Sequence, residues 1–109
     1  MTFQQIIQKA LEVREKYSQL EKEKYGREWN VQELMSGFVG DVGDLSKLLQ
    51  AKNGIRQIEN VDEKLKHELA DCLWSIIVLA DKFDIDLAQA FNQNMDELEN
   101  KLDAKTKTN

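Results

Sequence analysis

Hydrophobic residues recur at helical spacing through most of the chain. Near its start they are Phe3, Ile6, Ile7, Ala10, Val13, Tyr17 and Leu20. Residues at these spacings share one face of a helix with about 3.6 residues per turn. Thr2 followed by Gln5 has the pattern of a capping box, and Gly26 is a stop signal. The pattern therefore predicts a first helix from about Phe3 to Lys24.

Three further helices follow from the same kind of pattern. Asn30 begins a second capping box, and Asn53-Gly54 is expected to end that second helix. Asp62 is the predicted cap of a third helix and Asp86 that of a fourth. The short links favour antiparallel neighbours, so the predicted fold is an all-α four-helix bundle. Residues 103–109 are polar, and we expect them to fray.

The third helix contains the least polar stretch of the chain. Residues 69–80, LADCLWSIIVLA, are hydrophobic on almost every side. Such a helix is central in a fold or lies in a subunit interface. Because one short chain would leave part of it uncovered, we expect a homo-oligomer, with dimer and tetramer both open.

Composition restricts the class of protein further. The 109 residues form one predicted domain, 1–109, with 41% hydrophobic and 32% charged residues and no proline, a balance that favours a soluble helical protein. The net charge is −5 without a basic cluster, so no polynucleotide partner is expected. Cys72 is the lone cysteine, which argues against a disulfide framework. With no signal-like start and no long apolar run, we expect no membrane partner and a cytoplasmic location.

The most unusual segment is GDVGD, residues 40–44, within the predicted second helix. Each glycine costs a helix about 1 kcal/mol relative to alanine. Asp41 and Asp44 lie about 60° apart around that helix. Glu68 and Asp71 repeat the same i, i+3 spacing on the third helix. If both pairs face one seam, four carboxylates converge and either take up protons or bind a cation, for which Mg²⁺, with Mn²⁺ as substitute, is best suited.

Two simpler explanations stay open at this point. Acidic residues at i, i+3 are common on solvated helix faces, and the chain has 20 Asp and Glu. Gly37, Gly40 and Gly43 could equally permit close helix packing. The metal hypothesis gains because Glu68 and Asp71 interrupt the least polar helix, and because the glycines leave room for a ligand.

The two acidic segments also carry a family resemblance. VGDVGDLSKLL followed by ELADCLWSIIVLADKFDIDLAQAF resembles the MazG-like all-α nucleotide pyrophosphohydrolases, whose pattern is Glu-Glu-x-x-Glu, a spacer and Glu-x-x-Asp. The Gly-Glu-Val-Gly-Glu-Leu motif of the dCTP pyrophosphatase-like branch is closer still. The resemblance extends from about Trp29 to Phe91. It implies cleavage of a nucleoside triphosphate between its α and β phosphates, with removal of noncanonical nucleotides as a candidate role.

The resemblance implies a role for each matching residue. The implied metal ligands are Asp41, Asp44, Glu68 and Asp71. Asp41 and Glu68 are also the predicted catalytic residues, since water activation depends on the metal or on a ligand carboxylate. Trp29 is a candidate to stack on a nucleobase, although a hydrophobic staple is the favoured alternative.

The chain departs from the family pattern in three places. Both glutamates of the first motif are aspartates, and Gly40 stands at the outermost glutamate of the wider pattern. On the last helix, where relatives carry Lys, Asn and Arg, this chain has Asn94, Leu98 and Lys101. Lys101 alone keeps a matching charge and is the predicted substrate contact there. These departures support an alternative, a non-catalytic homologue that binds nucleotides or another protein.

Overall fold

The structure, a computed structural model, describes residues 1–107. These residues form four helices and no strand: α1 (Phe3–Tyr25), α2 (Val31–Lys52), α3 (Val61–Lys82) and α4 (Leu87–Lys107). The all-α prediction is confirmed. None of the helices in the described part of the chain has the length and apolar character needed to cross a bilayer.

The predicted starts of α1 and α2 are confirmed by complete capping boxes. Thr2 Oγ1 accepts from the Gln5 N–H at 3.1 Å, and the Gln5 side chain accepts from the Thr2 N–H at 2.8 Å. Asn30 and Glu33 make the same reciprocal pair at 2.9 and 3.1 Å. Each box satisfies two amide donors that a helix start would otherwise leave unpaired.

Two other predicted boundaries are also confirmed. Gly26 ends α1 in the left-handed conformation with φ 80°, which glycine adopts without steric cost. Asp86 Oδ1 accepts from the Gln89 N–H at 3.1 Å at the start of α4.

The prediction that Asp62 caps α3 is wrong. The N-cap is Asn60, whose backbone is left-handed with φ 54° and whose side chain makes no capping hydrogen bond. Asp62 lies in the first turn of α3, and its Oδ1 is 2.7 Å from Lys52 Nζ at the end of α2. A carboxylate in a first turn is favoured by the helix dipole, so Asp62 joins the ends of two helices rather than starting one.

Residues 103–107, within the segment expected to fray, continue α4 in the structure; the fraying itself stays a prediction. The Thr106 hydroxyl donates to the Leu102 carbonyl at 2.9 Å. Alanine and lysine have high helix propensity, so this segment can continue the helix although it has no hydrophobic face. Its polarity alone does not indicate a helix. Residues 108 and 109 lie outside the described part.

The predicted central position of α3 is confirmed. α2 packs along it, and α1 packs against it over a smaller area. The buried hydrophobic residues of the described chain are Leu48, Cys72, Ile77, Val78 and Ala80. The indole N–H of Trp74 donates to the Ala10 carbonyl at 3.0 Å and joins α3 to α1.

The chain alone does not close a four-helix bundle, because α4 makes only sparse contacts with α1 to α3. The molecule measures 61 × 40 × 28 Å with a radius of gyration of 17.8 Å, whereas a compact domain of about 100 residues has about 13 Å. The stripe that should face a bundle core stays exposed; it consists of Phe91, Met95, Leu98 and Leu102. α1 to α3 therefore form the packed unit, and α4 extends from it.

Candidate metal centre and substrate cavity

Three of the four predicted ligands meet at the seam between α2 and α3. Asp41 and Asp44 project from α2 one turn apart, and Glu68 projects from α3. One carboxylate oxygen from each lies within 4.8 Å of the other two. We call these three residues the acidic cluster. Their convergence follows from the packing of α2 along α3, which brings the two i, i+3 motifs face to face.

Asp71, the fourth predicted ligand, lies beside the acidic cluster rather than in it. Its Oδ2 is 3.1 Å from His67 Nε2, a partner four residues earlier on α3. Its charge nevertheless acts on the cluster, since it raises the pKa of Asp41. Direct ligation of a metal by Asp71 stays a prediction. His67 lies next to the site because it is four residues before Asp71 on the same helix.

The acidic cluster is electrostatically unsatisfied. Burial, together with the charges of Asp71 and Asp44, raises the pKa of Asp41 above its ordinary value. Burial and the neighbouring aspartates likewise raise the pKa of Glu68. Glu68 Oε2 is buried and has no hydrogen-bond partner in the described chain. A buried acceptor without a donor, among like charges, is the environment in which a cation is stabilised.

The donor set fits a hard divalent cation. All three groups offer carboxylate oxygens, the ligands that Mg²⁺ prefers, and its bonds of about 2.1 Å place opposed ligands roughly 4 Å apart. The spread of up to 4.8 Å in the acidic cluster is close to that distance.

The glycines of α2 do not permit close helix packing within the chain. A Cβ added at Gly40 or Gly43 would meet no atom within 4 Å. At Gly37 the added Cβ would lie 3.9 Å from Trp29 Cζ3, an ordinary contact. Within a single chain, close helix packing therefore does not explain Gly40 and Gly43. The surface of α2 at these two glycines, next to the carboxylates, is uncovered.

A cavity of about 490 Å³ opens on the Asp41 side of the acidic cluster. We call it the aromatic cavity, because its walls include Tyr17, Tyr25, Trp29 and Trp74. Trp29 and Leu34, the two positions of a hydrophobic staple around Asn30, both line it, so a staple and a cavity wall are compatible roles for Trp29. Half-buried Trp74 contributes its ring to the cavity and stacks at a tilt on Tyr17, with ring centroids 5.5 Å apart.

A second cavity, also about 490 Å³, opens at the other two members of the acidic cluster. Asp44 and Glu68 form one wall, and Lys47 and Lys64 supply positive charge. His67 lines both cavities. The acidic cluster thus lies between an aromatic cavity and one that carries lysines.

A family model, the MazG nucleotide pyrophosphohydrolase domain, matches residues 30–104. The chain belongs to the MazG family. The MazG match contains the whole acidic cluster and Asp71. It confirms the family resemblance without distinguishing the dCTP pyrophosphatase-like branch.

A relative gives a second comparison. The "Gene 37 protein" of Mycobacterium phage L5 is 32% identical over 71 residues, which cover 62% of this chain and 61% of the relative. The chain therefore matches less than two thirds of that protein's length. No solved structure matches the chain.

Lys101, the predicted substrate contact, lies on α4 and lines neither cavity of the single chain. Its role stays a prediction that depends on where α4 packs. Asn94 and Leu98, at the two other positions where relatives carry polar or charged residues on this helix, are likewise on exposed α4.

Sequence reasoning missed the buried face of α1. The predicted stripe includes Tyr17 and Leu20, but these are 49% and 53% exposed. The buried residues of this helix are Arg14, Ser18 and Glu21, all polar. Their i, i+4, i+7 spacing, which places them on one helix face, was the signal in the sequence for this buried polar face. The MazG match begins at residue 30 and does not include them.

Proposed function

We propose that this MazG domain hydrolyses a nucleoside triphosphate between its α and β phosphates, releasing a nucleoside monophosphate and pyrophosphate, and depends on Mg²⁺. The carrying observation is the position of the acidic cluster, with its unpartnered Glu68 oxygen, between the aromatic cavity and the cavity with lysines. A nucleobase is a flat aromatic group and a triphosphate is an anion, so the two cavities suit the two ends of one substrate.

Asp41, Asp44 and Glu68 would hold the cation, with Asp71 as a further ligand once its contact with His67 is exchanged. Mg²⁺ suits an all-carboxylate set, and Mn²⁺ accepts the same ligands. Such an ion, when bound, neutralises phosphate charge and makes water more acidic. Without it, four carboxylates would repel the triphosphate.

The nucleobase would enter the aromatic cavity, whose volume is within the usual range of about 300–1,000 Å³ for small-molecule sites. Trp29 and Trp74 offer ring surfaces for stacking. The phosphates would then extend past the acidic cluster toward Lys47 and Lys64, which line the far cavity. Asp41 belongs to the acidic cluster and also lines the aromatic cavity, a position from which its carboxylate would accept a proton from the attacking water.

The assembly we propose is a homo-oligomer, dimer or tetramer. Beyond the exposed stripe of α4, the central helix leaves Leu69, Leu73 and Ile76 between 41% and 52% exposed. Contiguous apolar surface of this kind is covered in most proteins by another subunit. Lys101 could reach the phosphates if α4 of one copy lies against the seam of another. Light scattering should return a multiple of 12.6 kDa; a monomer mass at micromolar concentration would contradict this assembly.

The activity is tested with a panel of canonical and modified nucleoside triphosphates, with and without Mg²⁺. We expect equimolar nucleoside monophosphate and pyrophosphate from at least one substrate, only with the metal. If the protein binds metal and nucleotide but releases no pyrophosphate from any substrate, the second candidate applies: a non-catalytic homologue that binds a nucleotide or another protein. Gly40, where the wider family pattern has a glutamate, and Asn94 and Leu98, where it has a lysine and an asparagine, support that candidate.

A further inference from the structure

Two of the buried polar residues of α1, Arg14 and Glu21, form an ion pair in the wall of the aromatic cavity. Arg14 Nη2 and Nη1 donate to Glu21 Oε1 at 2.5 Å and Oε2 at 3.1 Å. The two side chains are 9% and 10% exposed, and Arg14 Nε is buried without a partner among the described residues. Removing two charges from water costs several kcal/mol, and apolar residues often stabilise such a place at least as well. Stability alone therefore does not explain the pair.

Glu21 makes one further contact, which links the pair to the substrate cavity. Its Oε1 accepts from the Trp29 backbone N–H at 2.8 Å. Trp29 belongs to the link between α1 and α2, residues 26–30, which starts at the left-handed Gly26. The preceding residue of the link also senses α1, since the buried Ser18 hydroxyl lowers the pKa of Glu28. The buried face of α1 thus holds the link at Trp29.

Holding the Trp29 backbone also fixes the place of its ring. The ring lies over Gly37, with Cζ3 3.9 Å from the position of an added Cβ, and forms a wall of the aromatic cavity while 42% exposed. A half-exposed ring on a five-residue link would otherwise sample several positions, and each ligand would have to order it at a cost in binding free energy.

We propose that Arg14 and Glu21 are positioning residues that hold Trp29 as a preformed wall for the nucleobase. Arg14 orients the Glu21 carboxylate, and Glu21 fixes the Trp29 amide. Neither residue belongs to the acidic cluster, so they act on substrate binding and not on the hydrolytic step. The proposal rests on the proposed function for its ligand, a nucleoside triphosphate.

Two double variants isolate the contact to Trp29. Arg14→Met with Glu21→Leu removes the ion pair and the acceptor, whereas Arg14→Met with Glu21→Gln removes the ion pair but keeps a side-chain oxygen at that position. Because both replace a buried ion pair with uncharged residues, neither leaves an unpaired buried charge, and we expect both to fold. They differ in whether residue 21 can accept from the Trp29 N–H.

The first measurement needs no substrate. Since the chain has two tryptophans, Trp74→Phe in every protein compared makes Trp29 the sole tryptophan, whose emission is excited selectively at wavelengths that tyrosine does not absorb. We expect the Leu variant to show lower Trp29 anisotropy and stronger quenching by acrylamide, with the Gln variant close to the parent. Equal anisotropy and quenching in all three proteins, at equal thermal stability, would overturn the proposal.

The second measurement is steady-state hydrolysis of the best substrate from the panel, by the same variants without Trp74→Phe. We expect the Leu variant to raise KM by about tenfold with kcat changed less than about twofold, and the Gln variant to restore KM. A merely structural role would lower stability and leave KM unchanged, which would also overturn the proposal. If the parent hydrolyses no nucleotide, the proposed function fails by itself, and the Trp29 anisotropy still decides whether Glu21 positions the ring.

Discussion

The acidic cluster and the Arg14–Glu21 pair differ in how their charges are balanced. In the cluster, like charges from α2 and α3 meet and Glu68 Oε2 has no donor. In the pair, two opposite charges on one helix satisfy each other through two hydrogen bonds. Like charges of this kind either take up a proton or attract a cation, whereas the ion pair neutralises itself, leaves Arg14 Nε as its one unpartnered atom among the described residues, and holds its neighbours in place.

The largest expected effect follows from removing one partner of the Arg14–Glu21 ion pair. Arg14→Met leaves the Glu21 carboxylate buried and unpaired, so we expect a loss of about 3–5 kcal/mol in the free energy of unfolding. Urea titration followed by circular dichroism measures it. The matched control is Arg27→Met, which breaks the solvent-exposed pair with Glu33 and should lower the free energy of unfolding far less. Equal losses in the two variants would contradict the importance we give to burial.

The next largest effect is expected on the rate of hydrolysis when the acidic cluster is changed. Glu68→Gln keeps the shape of the side chain but removes a charge from the acidic cluster, so pyrophosphate release should fall by about 100-fold or more. Circular dichroism should stay unchanged. The control is Asp81→Asn, an exposed acid on the same helix, which should hydrolyse at the parent rate. An unchanged rate in the Glu68 variant would remove this residue from the site.

Removing a like charge should also stabilise the metal-free protein. Because folding raises the pKa of Asp41, the folded state holds this proton more tightly than the unfolded state does. The resulting stabilisation is present below the ordinary carboxyl range and is lost as pH rises through the raised pKa. Metal-free Asp41→Asn should therefore melt higher than the parent at pH 7, with the difference vanishing below about pH 4.

Added Mg²⁺ should reverse that order in thermal melts at pH 7. A ligand that binds only the folded state raises its stability, and the parent has the full cluster to bind it. A metal-free Asp41 variant that melts below the parent at pH 7 would show that this carboxylate stabilises the fold by itself, contrary to the comparison.

The smallest expected effect concerns an exposed pair. Lys52 and Asp62 join the ends of α2 and α3 at 2.7 Å, with side chains 46% and 69% exposed. Solvent screening leaves such exposed pairs little net effect on the free energy of unfolding. Asp62→Asn should accordingly change the urea midpoint very little, and a loss as large as that of Arg14→Met would refute the distinction between buried and exposed charge.

Local chemistry made part of this structure predictable. The capping boxes at Thr2 and Asn30 depend only on residues three apart in the sequence. The acidic motifs on α2 and α3 are recognisable by their i, i+3 spacing. That the motifs would face each other needed only the assumption of neighbouring helices. For these features, sequence and structure agree.

The remaining features depend on tertiary contacts that no local pattern encodes. An arginine and a glutamate seven residues apart look like surface residues until the burial of Arg14 and Glu21 is known. The stripe of α4 identifies an apolar face but not what covers it. Aspartate is a common N-cap residue, but the carboxylate of Asp62 pairs with Lys52 at the end of α2 instead of capping α3.

Binding of Mn²⁺, followed by electron paramagnetic resonance, tests the central claim most directly, because it reports on the acidic cluster whether or not a substrate is known. We predict saturable binding to the parent protein that weakens at least about tenfold in Asp44→Asn. Equal binding to the parent and to this variant would contradict a metal centre built from Asp41, Asp44 and Glu68.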